Sequence, residues 1–116
     1  MSKTNSGVCL TDKKCRPCEG GVPPLTDKQA REYLSQLRPG WELLQGAREI
    51  RKDYKFKNFK ETVGFVNLVA AIAEQEGHHP DMEVSWGRCG IRLATHAIKG
   101  LSENDFILAA KIDLLG

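Results

Sequence analysis

The sequence predicts an α+β fold: a four-stranded antiparallel sheet with three helices on one of its faces. Three segments begin at helix-capping residues and then repeat apolar residues at helical spacing. Between them lie pairs of short segments that read as strands, joined by only a few residues as in hairpins. The predicted order is α-β-β-α-β-β-α, and the length of 116 residues is that of one domain.

The first 24 residues are predicted to be a flexible leader, and the folded part to run from Leu25 to residue 116. The leader is polar and ends in a run rich in glycine and proline, which is typical of a linker. Cys15 and Cys18 have C-x-x-C spacing, which is half of a zinc site or a redox pair. A zinc site would need Cys9 and a fourth ligand from elsewhere, so an incidental thiol pair is favoured.

The first helix is followed by two strands. Thr26 and Gln29 form a capping box, and the helix that they start is expected to end near Arg38, because a Pro-Gly pair follows. Residues 41–44 read as a short strand. Residues 48–56 alternate apolar and charged side chains, which fits a half-buried second strand.

The longest helix is predicted to open at Asn58 and to end at Gly77, where a positive φ costs a glycine nothing. Residues 82–86 and 90–95 read as the last two strands, joined by a three-residue loop, and Ser102 caps the last helix. The apolar positions are predicted to be, in the longest helix, Phe59, Val63, Phe65, Val66, Val69, Ala70, Ile72 and Ala73 and, in the last helix, Ile107, Ala110 and Leu114.

Composition and charge argue against several classes of protein. A net charge of +2 is too small for a nucleic-acid-binding protein, and acidic residues interrupt the basic stretch between Arg48 and Lys60. No apolar run approaches the ~20 residues that span a bilayer, and no hydrophobic stretch marks a secretory signal. The protein is expected to be cytoplasmic, with no membrane partner and no direct nucleic-acid partner.

All three histidines lie within 19 residues and beside carboxylates. His78 and His79 directly follow the end of the longest helix, and His96 lies at or just beyond the end of the last strand. Asp105 is the third residue after a serine cap. Glu74 is in a last helical turn, where a carboxylate opposes the helix dipole and therefore hints at another use. Imidazoles titrate near neutral pH, so the cluster suits proton transfer or metal binding.

Each of these residues also has a plainer interpretation. A histidine at a helix C-terminus interacts with the helix dipole, a carboxylate in a first helical turn stabilises the helix start, and His96 could be a surface residue. A three-histidine metal site is disfavoured, because adjacent histidines rarely bind one ion together. The competing interpretation is metal-free general acid–base catalysis.

The spacing of these residues resembles the signature of the pterin-4a-carbinolamine dehydratase family. In order, the matching positions are Glu74-x3-His78-His79-Pro80-x5-Trp86-x9-His96-x8-Asp105. The element order extends the resemblance over residues 25–116, but not to the leader. The resemblance implies dehydration of a 4a-hydroxytetrahydropterin to quinonoid dihydropterin in pterin recycling for aromatic amino-acid hydroxylation. The pterin is then the substrate, with no cofactor and no metal.

The resemblance also implies which residues form the site. His78, His79, His96 and Asp105 would be catalytic, with Asp105 orienting the histidines or balancing their charge. We further predict that His78 and His96 transfer protons and that His79 contributes to binding. The residues implied to bind the substrate are Glu74, Gly77, Trp86, Thr95 and Asn104.

Three of these positions carry further expectations. Gly77 stands where many family members have Asp, and Asn104 where Arg is common, which bears on pterin affinity. Trp86 is expected to pack at the pocket wall.

The resemblance implies a homodimer or homotetramer. The alternative to a dehydratase is a non-catalytic protein of the same fold, either a transcriptional dimerisation cofactor or a RuBisCO-assembly chaperone. Retention of the histidines favours the enzyme.

Overall fold

The computed structural model describes residues 10–15 and 23–115. Over these residues the helices are α1 (Asp27–Leu34), α2 (Phe59–Glu76) and α3 (Glu103–Asp113), and the strands are β1 (Glu42–Leu44), β2 (Glu49–Lys55), β3 (Asp81–Ser85) and β4 (Arg88–Leu93). Short 3-10 turns cover Leu10–Asp12 and His96–Ile98. The order α-β-β-α-β-β-α and the α+β class are confirmed.

The sheet has the strand order β1-β2-β4-β3, with every neighbouring pair antiparallel. One face of the sheet is apolar and meets the helices in a single core, to which Ile50 and Ile91 contribute from the sheet and Phe65 and Phe106 from the helices. The other face is charged, with ion pairs such as Arg88 to Asp53 at 2.8 Å. The prediction of helices on one face is therefore confirmed.

Helix α1 begins as its capping box predicts. The Thr26 hydroxyl accepts from the Gln29 backbone N–H at 3.1 Å, and the Gln29 side chain accepts from the Thr26 N–H at 2.9 Å. The helix ends at Leu34 rather than near Arg38, because the next residues form a tighter turn in which the Leu37 N–H bonds the Leu34 carbonyl at 3.0 Å.

Helix α2 begins and ends where the sequence predicts. The Asn58 side chain accepts from the Glu61 N–H at 2.8 Å, and Gly77 closes the helix with φ 67°. The predicted apolar face is partly wrong. The fully buried positions of α2 are Thr62, Phe65, Val69 and Ala73, whereas Phe59 is half exposed and Ala70 is exposed. The buried face begins at a threonine, whose hydroxyl donates to the Trp86 carbonyl at 2.9 Å, and apolar periodicity does not predict a buried threonine.

The β3–β4 hairpin is tighter than predicted. Ser85 pairs with Arg88, so the turn is the two residues Trp86-Gly87, and Cys89 lies buried in β4 rather than in a loop. Gly87 is required here, because a Cβ at this position would lie 2.8 Å from the Phe56 carbonyl oxygen. In α3, the prediction that Leu114 is a core position is wrong: the helix ends at Asp113, and Leu114 is exposed.

Residues 10–15 belong to the folded part. Leu10 is buried in the core, and the Cys15 N–H donates to a Glu76 carboxylate oxygen at 2.8 Å. Although the sequence predicts that these residues belong to a flexible leader, their contacts with distant residues hold them against the part of the chain that follows Leu25. Cys9 and Cys18 lie outside the described residues. No helix in the described part is long and apolar enough to cross a membrane.

Candidate active site

Asp105 is the best-connected carboxylate near the histidines. It is the third residue of α3 and is fully buried. Its Oδ2 atom accepts from the Thr95 hydroxyl at 2.7 Å and from the Ser102 backbone N–H at 3.0 Å, while its Oδ1 atom lies 2.6 Å from His78 Nε2. The position at a helix N-terminus favours the negative charge. Both carboxylate oxygens are thus engaged, and the side chain is held in one orientation.

The end of α2 positions His78 beside the Asp105 carboxylate. The left-handed conformation of Gly77 turns the chain out of the helix, and the His78 N–H bonds back to the Ala73 carbonyl at 3.2 Å. The His78 side chain is only 12% exposed. Since an ionised carboxylate can only accept, a neutral His78 donates from Nε2 and keeps the lone pair on Nδ1. Asp105 therefore selects the tautomer of His78.

His79 forms a second imidazole–carboxylate pair, with Glu74. Its Nε2 atom lies 2.5 Å from Glu74 Oε2, but the two side chains are 59% and 77% exposed. The acid that opposes the dipole of α2 therefore has a partner from the residues that follow the helix. Water and salt screen such an exposed pair.

His96 lies beside an open cavity. The last strand ends at Leu93, so strict strand alternation does not apply to His96, which starts a 3-10 turn and is exposed. The Thr95 N–H bonds the Gly100 carbonyl at 2.8 Å and closes this turn. The cavity measures about 210 Å³ and is lined by Gln45, Arg48, Glu49, Ala94, Thr95, His96, Lys99 and Gly100.

Thr95 connects the cavity to the buried pair. It lines the cavity next to His96, and its hydroxyl bonds Asp105, which in turn bonds His78. His78 and His79 are not among the described residues that line this cavity. Sequence reasoning missed the Ser102 N–H and gave Thr95 only a role at the substrate. The Ser-x-x-Asp spacing of the last helix start was a signal for the bond between Ser102 and Asp105.

Of the remaining predicted residues, Trp86 lies apart from the buried pair, whereas Gly77 and Asn104 directly precede His78 and Asp105 in the chain. Trp86 is 66% exposed at the hairpin turn, so the prediction that it packs is wrong. The length of β3 separates it from the histidines by roughly 17 Å. Asn104 is buried, and its carbonyl lies 3.5 Å from the Cys15 thiol. Gly77 acts here through the backbone, by ending α2.

Glu76, Lys111 and Cys15 form a further, partly buried polar group. Glu76 accepts from Lys111 Nζ at 2.7 Å and from the Cys15 N–H at 2.8 Å. Burial raises the pKa of Glu76, but these hydrogen bonds and the lysine charge outweigh it and lower that pKa. Burial first, and then the Glu76 charge, raise the pKa of the Cys15 thiol to about 12. Cys15 is therefore a protonated thiol at neutral pH, which makes it a poor nucleophile and metal ligand.

No group of three or more His, Cys, Asp or Glu side chains within residues 10–15 and 23–115 is arranged to hold a metal ion. What the structure does assemble is an imidazole held in one tautomer by a buried carboxylate, with a second imidazole at a neighbouring open cavity. This arrangement is suited to acid–base chemistry on a small molecule.

The chain belongs to the family described as pterin 4 alpha carbinolamine dehydratase, whose model matches residues 23–115. It is 51% identical over 111 residues to a protein of Nitrosomonas eutropha named "putative pterin-4-alpha-carbinolamine dehydratase", covering 95% of this chain and 96% of that protein. A protein of the same name from Rickettsia bellii is 54% identical over 106 residues, covering 91% and 93%. The family model begins at residue 23, whereas the match to the Nitrosomonas protein over 95% of this chain also includes most of residues 1–24.

Two solved structures are similar to this chain. One is a transcriptional coactivator/pterin dehydratase from Brucella melitensis, with a TM-score of 0.74, 34% identity and coverage of 79% of this chain and 97% of that one. The other is a pterin dehydratase-like protein identified as a RuBisCO assembly factor in the alpha-carboxysome, with a TM-score of 0.58, 23% identity and coverage of 66% and 88%. The second similarity shows the fold alone.

Proposed function

We propose that this protein catalyses the dehydration of a 4a-hydroxytetrahydropterin to quinonoid dihydropterin and water, in the recycling of pterin after aromatic amino-acid hydroxylation. The observation that carries the proposal is the buried His78–Asp105 pair, at 2.6 Å, in a chain that belongs to the dehydratase family. The proposed reaction uses side-chain acids and bases, with no metal and no cofactor besides the pterin substrate.

The chemistry requires two proton transfers. The bond between C4a and its hydroxyl oxygen breaks, the oxygen takes up a proton and leaves as water, and N5 loses a proton as the C4a–N5 double bond forms. The number of protons on the protein is then unchanged over a turnover. Positioned general acids and bases accelerate such steps by about 10²–10⁴-fold.

We assign His78 and His96 as the proton-transfer pair. His78 is held in one tautomer by Asp105, so its Nδ1 lone pair is available as a base. His96 is exposed at the cavity, where a substrate can reach it. In this proposal Asp105 orients His78, and Thr95 and Ser102 fix Asp105 in turn.

We assign the exposed Glu74–His79 pair to substrate binding rather than to proton transfer. Both side chains are largely in water, so they can rearrange around a ligand at little cost. Gly77 and Asn104 lie at the end of α2 and the start of α3, on either side of the buried pair. We propose that they shape the substrate site through the backbone positions of these two helix ends.

The proposal is tested by the stopped-flow rate of carbinolamine decay with and without this protein. We expect decay to accelerate in proportion to protein concentration, with the absorbance of the quinonoid product rising at the same rate. A decay rate that is independent of added protein would contradict the proposal and would favour a binding role.

The second candidate is a non-catalytic binding protein of this fold, either a transcriptional dimerisation cofactor or a chaperone of RuBisCO assembly. It is supported by the name of the Brucella melitensis structure, which includes a transcriptional coactivator, and by large apolar side chains exposed on α2, namely Phe59 and Leu68. Strands β1 and β3 are sheet edges, which can pair with another copy of the chain. We propose a cytoplasmic homodimer or homotetramer in either case, to be tested by light scattering of the purified protein.

A further inference from the structure

The cavity beside His96 carries two cations without counter-ions. Arg48 and Lys99 line it from two separate loops, one between β1 and β2 and the other after the 3-10 turn of His96. Both are exposed, and neither side chain makes an ion pair or a hydrogen bond with any residue in the described part of the chain. Their positive charge is therefore available to a ligand.

The one carboxylate that lines the cavity does not cancel this charge. Glu49 lies 4.0 Å from Arg92 Nε, so it already faces a cation on the neighbouring strand. Its side chain is 18% exposed, whereas Arg48 and Lys99 lie at the surface of the cavity. The cavity thus keeps an excess of positive charge next to an imidazole.

The backbone of both loops is held in an unusual conformation. Among the described residues, the non-glycine positions with positive φ are Gln45, Ala47 and Lys99, at 56°, 68° and 55°. Gln45 and Lys99 line the cavity, and Ala47 directly precedes Arg48. Left-handed conformations are disfavoured for residues with a Cβ, and they concentrate at ligand sites. Arg48 and Lys99 therefore lie in loops that the fold holds in locally disfavoured backbone conformations.

On the pterin ring, the side chain is attached next to the reacting atoms, which places it near this cavity. The proton-losing N5 atom is bonded to C6, the carbon that carries the pterin side chain. If the 4a carbon and N5 meet the histidines, a C6 side chain leaves the ring beside them. The cavity begins at His96, and Thr95 connects it to Asp105.

We propose that this cavity binds an anionic group, a phosphate or a carboxylate, on the substrate's side chain, and that Arg48 and Lys99 hold it. The inference rests on the proposed dehydratase function and makes the substrate class narrower: pterins with a charged side chain are preferred over pterins with a neutral one. Arg48 and Lys99 then determine specificity and take no part in proton transfer.

The test compares two carbinolamines, one with a neutral hydroxyalkyl side chain and one phosphorylated on that side chain. Both are assayed with the wild-type protein, with the double variant Arg48→Gln/Lys99→Gln, and with Lys60→Gln. Lys60 is an exposed cation at the start of α2, near the β3–β4 turn that Thr62 contacts, and removing it controls for the loss of a positive charge away from the cavity. Thermal unfolding confirms that each variant is folded.

We expect kcat/KM to be higher for the phosphorylated substrate in the wild type. The ratio of the two kcat/KM values should fall about tenfold in the double variant, since two charge-assisted contacts are lost. It should be unchanged in Lys60→Gln. Inorganic phosphate should raise the KM of the phosphorylated substrate alone. Equal ratios in all three proteins, or phosphate inhibition of both substrates alike, would overturn the proposal.

Failure of the anion site and failure of the dehydratase proposal give different results. Equal acceleration of both carbinolamines removes the anion site and leaves the dehydratase. If neither carbinolamine decays faster, the dehydratase proposal fails, and the anion site is decided by binding instead. Dissociation constants of the two oxidised pterins, measured by their fluorescence, must then show the same preference and the same loss in the double variant.

Discussion

His78 and His79 are neighbours in the chain, and each bonds a carboxylate through Nε2, at 2.6 Å and 2.5 Å. Their surroundings are opposite. The His78 pair is 12% and 0% exposed, whereas the His79 pair is 59% and 77% exposed. His78 is directed toward Asp105 of α3, whereas His79 is directed toward Glu74 and solvent.

Burial changes what the same pair of groups can do. A buried carboxylate that loses one of its partners is left uncompensated, so each of its contacts is worth more. An exposed pair is screened, and typically contributes less than about 1 kcal/mol. The difference between the two pairs implies that the buried one fixes geometry for chemistry and that the exposed one can adapt to a ligand.

The largest effect is expected from Asp105→Asn. The amide keeps the shape of the side chain, but its NH2 group only donates, so the contact with His78 is either lost or made with the wrong tautomer of the imidazole, in which Nε2 accepts. We expect the free energy of unfolding to fall by about 3 kcal/mol and the proposed turnover to fall about 10²–10⁴-fold. Urea unfolding and stopped-flow decay measure the two effects.

Asp113→Asn is the matched control. Asp113 is also buried, and it accepts from Lys52 at 2.7 Å and from the Trp41 ring N–H at 3.0 Å, at the opposite end of α3. Asp113→Asn should lower the free energy of unfolding by about as much as Asp105→Asn does. Turnover per folded molecule should be unchanged. Equal losses of turnover in the two variants would show that Asp105 acts only through stability.

Thr95→Val should have the next largest effect. Valine keeps the shape and removes the hydroxyl that bonds Asp105. We expect the free energy of unfolding to fall by about 1–2 kcal/mol, because a hydrogen bond to a buried charge is lost. Turnover should fall about tenfold, because His78 is held less firmly through Asp105. Thr95→Ser, which keeps the hydroxyl, should restore the activity; a serine variant as impaired as the valine variant would argue against the hydroxyl's role.

Glu76 tests whether burial alone makes a carboxylate important for turnover. Its pKa is lowered in the folded protein by the hydrogen bonds from Lys111 and the Cys15 N–H. A lowered pKa stabilises the fold above the ordinary glutamate value of about 4.3, and this contribution is lost as pH falls through the folded value. As the pH is lowered, the free energy of unfolding should decrease by about 1 kcal/mol less in Glu76→Gln than in the wild type. Turnover at pH 7 should change little. An unaltered pH dependence of urea unfolding would contradict this.

The smallest effect is expected from Glu74→Gln. The pair with His79 is exposed, so the free energy of unfolding should change by less than about 0.5 kcal/mol. We expect KM for the pterin to rise about twofold to fivefold with kcat unchanged, and the difference to shrink at 1 M salt, where the Debye length is about 3 Å. A large fall in kcat would instead place this pair in the chemistry.

The sequence predicted features that depend on local backbone chemistry. The caps at Thr26, Asn58 and Ser102 and the left-handed end of α2 at Gly77 lie where local patterns place them. Short side chains and glycine act on nearby backbone groups, so their effect can be read without tertiary structure. The spacing of the histidines and Asp105 was likewise visible in the sequence.

Features that depend on distant contacts were not predictable in the same way. The segment 10–15 was predicted to be part of a flexible leader, but it packs through Leu10 and Cys15 against residues far along the chain. Trp86 is apolar and aromatic, yet a two-residue turn leaves it exposed. The last strand was predicted to run to residue 95, but it ends at Leu93, and His96 begins a 3-10 turn. In each case a tertiary contact or a change of element overrides the local pattern.

The central claim is that His78 of the buried pair, and not His79 of the exposed pair, transfers a proton together with His96. It is tested most directly by the single-turnover rate of carbinolamine decay with saturating His78→Ala and with saturating His79→Ala, compared with the wild type. We predict that His78→Ala slows the step about 10²–10⁴-fold, while His79→Ala lowers affinity and leaves the saturated rate within about threefold. A saturated rate that is unchanged in His78→Ala, or reduced equally in both variants, would contradict the account.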